Sequence, residues 1–439
     1  MPRAAIAGAG LSGLTAGYRL KQAGWQVDVF EAADVVGGRV QTVREGDYAM
    51  DTGASALSST YHAYLALADE LGIELRSPTS HVGIRRAGVT HLLDMDHMIG
   101  SGLRTPLLSA SGKLRVLRLA ADVAIAKARG RLDYADMSKA APLDTESARA
   151  YANRALSAEL NDYLCEPIVR IMLIADADKV SKVELLSGIA NIFTAKILTV
   201  AGGQGRLPDA LAAQLEIRLR NPVTEVRRTE KGVRVTLAAG SAEYDACVVA
   251  CPLPEAAEIC VDDRALLESL NTHLGYTQCV SVAIGTTRTP DCPAFLMMFP
   301  SAENPDVALI FLDHNKSADR AATGHGLLSC LWETGASEKM IDAPDEVLVQ
   351  HTLATVFDVF PELRGHVDFT HVTRWRRALP FTRIGAYREI GRLNAALDPR
   401  SPVQYAADFM SAAGQNTAVE FGNRAARNLL ARQSNRRPS

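Results

Sequence analysis

The residues best placed to do chemistry stand at the start of the chain, where Gly8-Ala9-Gly10-Leu11-Ser12-Gly13 sets three glycines at fixed spacing. Such a turn is suited to bringing backbone N–H groups and the positive end of a helix up to a pyrophosphate. Gly8 permits the sharp turn and Gly10 lets the backbone approach the phosphates. Gly13 lets the helix pack close to the preceding strand, while Leu11 and Ser12 open the helix itself. Glu31, with Ala32 beside it, follows at the distance where a carboxylate accepts hydrogen bonds from the ribose hydroxyls of a dinucleotide. A 2′-phosphate would be repelled there.

These residues need a strand, a helix and a second strand to hold them, and the pattern supplies all three. Arg3 to Ala7 is a short apolar run, and Leu11, Leu14 and Tyr18 then recur on one helical face until Gly24. Trp25 to Glu31 alternates Val27 and Val29 with Gln26 and Asp28, as a strand does. A lone GxGxxG also makes plain turns, so the signal lies in the order of the pieces. A nicotinamide dehydrogenase would continue with another helical crossover and a third parallel strand. This chain instead runs into Val36-Gly37-Gly38-Arg39 and then Asp51-Thr52-Gly53.

The stretch from Ala4 to Gly53 resembles the flavin-containing amine oxidase superfamily, which includes protoporphyrinogen oxidases and phytoene-type desaturases. The resemblance implies FAD, with Gly37, Gly38 and Arg39 approaching its pyrophosphate and flavin. Two later segments are similar to the same family. From Gly202-Gly203 to Val226 it implies a helix and a strand whose Val223 backbone meets the adenine, and Tyr244 to Pro252 follows as a strand ending in a proline turn. Near the C-terminus, Tyr405-Ala406-Ala407-Asp408 reads as a strand and Thr417 to Arg432 as a helix, with Thr417 and Glu420 as a capping box. The resemblance places Asp408 on the ribityl or pyrophosphate region and Thr417, Ala418 and Val419 under the flavin pyrimidine edge. Ala407 departs from the glycine usual there. The family's covalent members use a C-terminal cysteine; none follows Cys330, which implies non-covalent FAD.

Composition narrows the remaining classes. The 439 residues are 47% hydrophobic and 22% charged, ordinary for a globular protein of two or three domains. A net charge of −3 gives no general attraction to nucleic acid. Seven scattered cysteines without a CxxC pair indicate neither a disulfide framework nor a metal site, and favour a reducing, cytoplasmic setting. The glycines of the first twenty residues belong to the fold and not to a signal peptide. The expected class is α/β: a discontinuous, Rossmann-like FAD domain (1–75, 198–285 and 386–432), an α+β substrate domain with a helical subdomain (76–197 and 286–385), and a disordered tail (433–439).

The substrate side is less legible. A basic amphipathic stretch from Arg104 to Arg131 has two readings, a peripheral membrane contact as in protoporphyrinogen oxidases or a solvated bundle face. The segment Tyr276-Thr277-Gln278-Cys279-Val280 lacks the lysine that amine oxidases of the family hold near flavin N5, and a tyrosine of their aromatic cage would fall near Gly414, which implies oxidation at carbon. The leading expectation is dehydrogenation of an apolar, cyclic or conjugated small molecule by hydride transfer to flavin N5, with O2 or a quinone as acceptor. Arg39 and Tyr387 are the candidates for the flavin's substrate face. The alternatives are an amine oxidase, a redox-silent flavin-dependent isomerase and a cofactor-free binding module. The sequence leaves the oligomeric state open.

Overall fold

A computed structural model describes residues 1–134, 136–192 and 195–434. The chain begins with strand Arg3–Ala7, helix Leu11–Gln22 and strand Gln26–Phe30, within a residue of the expected bounds. These two strands are the centre of a five-stranded, all-parallel sheet. Its order is Glu216–Arg218, Gln26–Phe30, Arg3–Ala7, Ala246–Val249 and Val403–Tyr405. The first two strands are neighbours in sequence, and the other three return from far along the chain. All four residues of Ala246–Val249 are buried, as expected of a central parallel strand covered on both faces.

Separate from this sheet, a small antiparallel sheet is formed by Val223–Arg228, Val233–Leu237 and Gly240–Tyr244. A second large sheet has seven strands in the order Val367–Trp375, Cys279–Thr286, Gly326–Trp332, Val307–Leu312, Ala294–Met298, His81–Arg86 and Val89–Asp94. Its pairs are antiparallel except Ala294–Met298 with His81–Arg86. Cys279–Thr286 thus sits inside this sheet and not with the dinucleotide segments, against the expected boundary at 285. The physical reason is its burial: all eight residues are covered, and its partners come from the second insertion on both sides.

The first insertion supplies the helices, chiefly Ala110–Ala128, Glu166–Leu173 and Lys182–Ile192. Within Arg104 to Arg131, Ser109 caps Ala110–Ala128 by accepting from the Gly112 amide, and Leu114 and Leu117 stand 68% and 65% exposed. The C-terminal helix runs Gln415–Ser434, two residues longer at its start than expected. Thr417 is therefore inside the first turn, and the expected capping box with Glu420 does not form. Tyr405 ends its strand, and Asp408 opens a short 3-10 turn, Asp408–Met410, instead of closing a strand. Of the expected tail, Gln433 and Ser434 are helical, and 435–439 lie outside the described residues. Among the described residues no helix is long and apolar enough to cross a membrane.

Candidate functional site

One cavity of about 1400 Å³ runs from the glycine turn, between the two large sheets, to the helices of the first insertion. It exceeds the roughly 300–1,000 Å³ of a pocket for one small molecule. Its near end is built from the N-terminal unit. Gly8, at φ +110°, turns the chain where a side chain would lie 2.6 Å from the Ala250 carbonyl oxygen. The Leu11–Gln22 helix starts at Gly10 with no side-chain cap, so its first amides stay free for a ligand. A Cβ at Gly10 would meet nothing within 4 Å, because that side opens on the cavity.

Glu31 is tied into the same turn. Its carboxylate accepts from the Ala9 amide at 2.7 Å and from the Ala33 amide at 2.8 Å. Arg39 pairs with Asp408, Nη2 to Oδ2 at 2.7 Å, and donates to the Ala378 carbonyl at 3.0 Å. Burial alone would lower the Arg39 pKa, but Asp408, aided by Tyr276, overcomes it and holds the guanidinium above its ordinary value. This pair joins residues 369 positions apart in sequence (408 − 39) across the cavity wall.

The structure brings most of the expected residues to one wall: Gly8, Gly10, Leu11, Ser12, Glu31, Ala32, Gly37, Gly38, Arg39, Val223, Asp408 and Ala418 all line the cavity. Gly13 does not, and its place is in packing: a Cβ there would stand 2.0 Å from the Gly8 carbonyl oxygen. Thr417 and Val419 are buried away from the cavity; with the helix starting early, Gly414, Gln415 and Ala418 face it instead. Tyr387 is also misplaced. It is fully buried, and its hydroxyl is engaged behind the wall with Thr382 at 3.3 Å and with Glu184.

The fit to a flavin dinucleotide rests on unmet groups. The open helix start suits a pyrophosphate, and among the described residues Asp408 Oδ1 is buried with no hydrogen-bond partner, as is Gln415 Oε1. Trp375, whose indole donates to the Thr52 carbonyl at 2.6 Å, closes the wall beside them.

Beyond these groups the cavity turns apolar, with Ile168, Ile171, Met172, Leu296, Met298 and Phe311 among its walls. Of the segment that lacks the lysine, only Cys279 lines it. Among the described residues Lys113 is the sole lysine along the wall, on an outer helix with its ammonium donating to the Leu103 carbonyl at 2.8 Å. Gly414 does line the cavity, and the Tyr61 hydroxyl lies 3.7 Å from where its Cβ would be.

Glu184, Tyr134 and Tyr61 are the site residues that sequence reasoning missed. A signal for Glu184 existed, since a lone acid interrupts the run Val183 to Leu186 in an apolar helix. Burial pushes its carboxyl above the ordinary range, opposed by hydrogen bonds from Thr382 and Tyr387. A carboxyl with a raised pKa in the folded state binds its proton more tightly there than in the unfolded chain. Its stabilising effect is complete below the unfolded value of about 4.3 and is lost as pH rises through the folded value. Thermal melts across that window should show the wild type losing stability relative to Glu184→Gln as pH rises, and a constant difference would contradict this.

The model of the family described as flavin containing amine oxidoreductase matches residues 11–430. Protoporphyrinogen oxidase 2 of Arabidopsis thaliana is 30% identical over 183 residues, which are 41% of this chain and 34% of that protein. The chain thus aligns with about a third of that relative's length. Coproporphyrinogen III oxidase of Bacillus subtilis is 22% identical over 91% of this chain and 92% of its own. The solved cyclohexylamine oxidase of Brevibacterium oxydans superposes with a TM-score of 0.79 at 18% identity, covering 99% of this chain and 100% of that one. Together with a cavity that joins the glycine turn to an apolar chamber, the match across nearly the whole chain establishes that this protein belongs to the flavin-containing amine oxidoreductase family.

Proposed function

We propose that the protein is an FAD-dependent dehydrogenase or oxidase that desaturates an apolar, cyclic or conjugated small molecule at carbon, with O2 or a quinone as the acceptor. The carrying observation is this cavity, whose far part is walled mainly by aliphatic side chains with Phe295 and Phe311. When bound, the flavin supplies a two-electron acceptor for a hydride from a substrate C–H bond.

The chain's own part is to bind, orient and keep water out. Gly8 to Ser12 would hold the pyrophosphate, Glu31 the adenosine ribose, Val223 the adenine edge and Asp408 the ribityl hydroxyls. Arg39, already balanced by Asp408, would place its charge beside the flavin without leaving an unpaired cation when the site is empty. Non-covalent FAD fits a chain with no cysteine after Cys330. Ile99, Leu103 and Leu117 line the outer cavity while being exposed on the surface, so an apolar route leads inward from that face. A peripheral membrane contact there belongs to the same proposal.

Anaerobic mixing of the holoprotein with porphyrinogens, carotenoid precursors and cyclic ketones should bleach the flavin with at least one of them. Bleaching by amines alone would instead make it an amine oxidase. Acid precipitation should release the flavin intact. Arg39→Ala should weaken FAD retention roughly ten-fold or more, the usual worth of a charge-assisted hydrogen bond, as read by equilibrium dialysis.

A further inference from the structure

The apolar part of the cavity contains one polar station. Helix Lys182–Ile192 presents Glu184, Gly188 and Asn191 to it, at spacings of four and three residues that put them on one face. At Gly188 the space a side chain would take is filled by Met172, whose sulfur lies 2.2 Å from the position of a Cβ. Met172 packs there between the two polar residues of that face. Asn191 Nδ2 donates to the Tyr134 hydroxyl at 2.8 Å, a bond that does not use the tyrosine's own proton. Ser411 donates to the Tyr134 carbonyl at 2.8 Å and so fixes this tyrosine against the turn that leads to Gly414. The Tyr61 hydroxyl reaches the same turn from the other side, 3.7 Å from where a Cβ at Gly414 would stand.

Each of these groups can still offer a proton to a ligand: a hydroxyl of Tyr134 or Tyr61, or the carboxyl of Glu184 in its neutral form. Burial, above all, pushes the Tyr134 hydroxyl pKa well up, so it stays protonated. Glu184 Oε1 accepts from Thr382 at 2.7 Å and the carboxyl also meets the Tyr387 hydroxyl, while among the described residues no cation pairs with it. A buried carboxyl in that position favours its neutral, proton-bearing form. Donors converging in an aliphatic chamber call for an acceptor on the ligand, and their protons would be wasted on an ammonium group.

We propose that Glu184, Tyr134 and Tyr61 form a specificity site that receives an uncharged carbonyl oxygen carried by an otherwise apolar substrate. This rests on the proposed function for where the substrate lies, but it concerns binding and not the redox step. The oxygen is held beside the Ala412-Ala413-Gly414 turn, while the aliphatic walls take the body of the molecule. The site thereby sets which end of the substrate enters first. An unsatisfied station is costly in an apolar wall, so a ligand lacking the oxygen is rejected by leaving buried donors unpaired.

The test titrates the FAD-loaded protein with a medium-chain methyl ketone, the matching alkane and the matching primary amine. Binding is read by the fluorescence of Trp375, which lines the cavity, relative to a Trp375→Phe control. The ketone should bind about ten-fold more tightly than the alkane. That margin should fall to two-fold or less in Glu184→Gln and in Tyr134→Phe. Tyr134→Phe removes only a hydroxyl and keeps the test decisive if the buried Glu184→Gln fails to fold. Equal binding of ketone and alkane, stronger binding of the amine, or an unchanged margin in Tyr134→Phe would overturn the proposal. Flavin bleaching is scored separately: a protein that discriminates the ketone but oxidises none of the panel keeps this site and loses the dehydrogenase reading.

Discussion

Asp51→Ala is expected to destabilise the protein by about 3–5 kcal/mol, a large part of the stability of an ordinary domain. The Asp51 carboxylate is fully buried and pairs with Arg320 at 2.9 Å, which is fully buried too. Lys316, equally covered, lies 3.6 Å from Asp51 and 2.5 Å from Asp313. The same carboxylate accepts from the Thr42 hydroxyl at 2.7 Å and the Gln204 amide at 2.8 Å. Removing it leaves a guanidinium in the interior without its nearest counter-charge, and that uncompensated charge is the source of the cost. The network also backs the cavity, since Lys316 donates to the Ser55 carbonyl at 3.0 Å and Ser55 lines the wall. Urea unfolding should therefore show the loss in stability together with weaker flavin retention. Replacing both Asp51 and Arg320 by apolar residues of similar size should recover much of the stability, because no charge is then left alone. A single variant within about 1 kcal/mol of wild type, on the order of ordinary surface changes, would show that the network carries little.

Gly13→Ala is the second large effect. The added methyl would stand 2.0 Å from the Gly8 carbonyl oxygen, 3.0 Å from Ala250 and 3.1 Å from Ile6. Backbone must move, and overpacking of this kind costs about 1–3 kcal/mol. The movement falls on the turn that would carry the pyrophosphate, so the variant should purify without flavin as well as melt earlier. Gly10→Ala separates the two effects. Its backbone, at φ −74° and ψ 172°, tolerates a side chain, and the methyl enters open space. That variant should melt as the flavin-free wild type does and still fail to retain flavin, because the methyl occupies the ligand's approach. Flavin absorbance and melting temperature on both variants decide the matter.

The N-terminal unit was readable because its determinants are local. A strand, a tight turn and a helix need only residues within a few positions of one another, and Gly8, Gly10 and Gly13 declare the close approaches directly. Where determinants are distant, local reading failed. Thr417 and Glu420 imitate a capping box, yet the helix begins at Gln415, whose side-chain amide donates to the Ala56 carbonyl at 3.2 Å. Tertiary contact overrode the local cap. Tyr387 is a candidate for the flavin's substrate face by sequence, but helix Ala386–Ala396 turns it inward, where its hydroxyl meets Glu184. Cys279–Thr286 reads as a strand in either location, and only its partners on both edges place it in the seven-stranded sheet.

Residue type and spacing alone were enough to specify a parallel dinucleotide unit, its glycine turn and the acid that follows, and they carried enough of the family pattern to bring Gly38, Arg39, Val223 and Asp408 into the same expectation. Those are backbone and short-range requirements, and they leave a mark in the local order of residues. Which side chains share the cavity was settled by packing. Glu184, Tyr134 and Tyr61 come from three separated segments, and Asp51 meets Arg320 across 269 positions (320 − 51). Such meetings depend on how the sheets and helices come together, a property of the whole chain that no local spacing encodes.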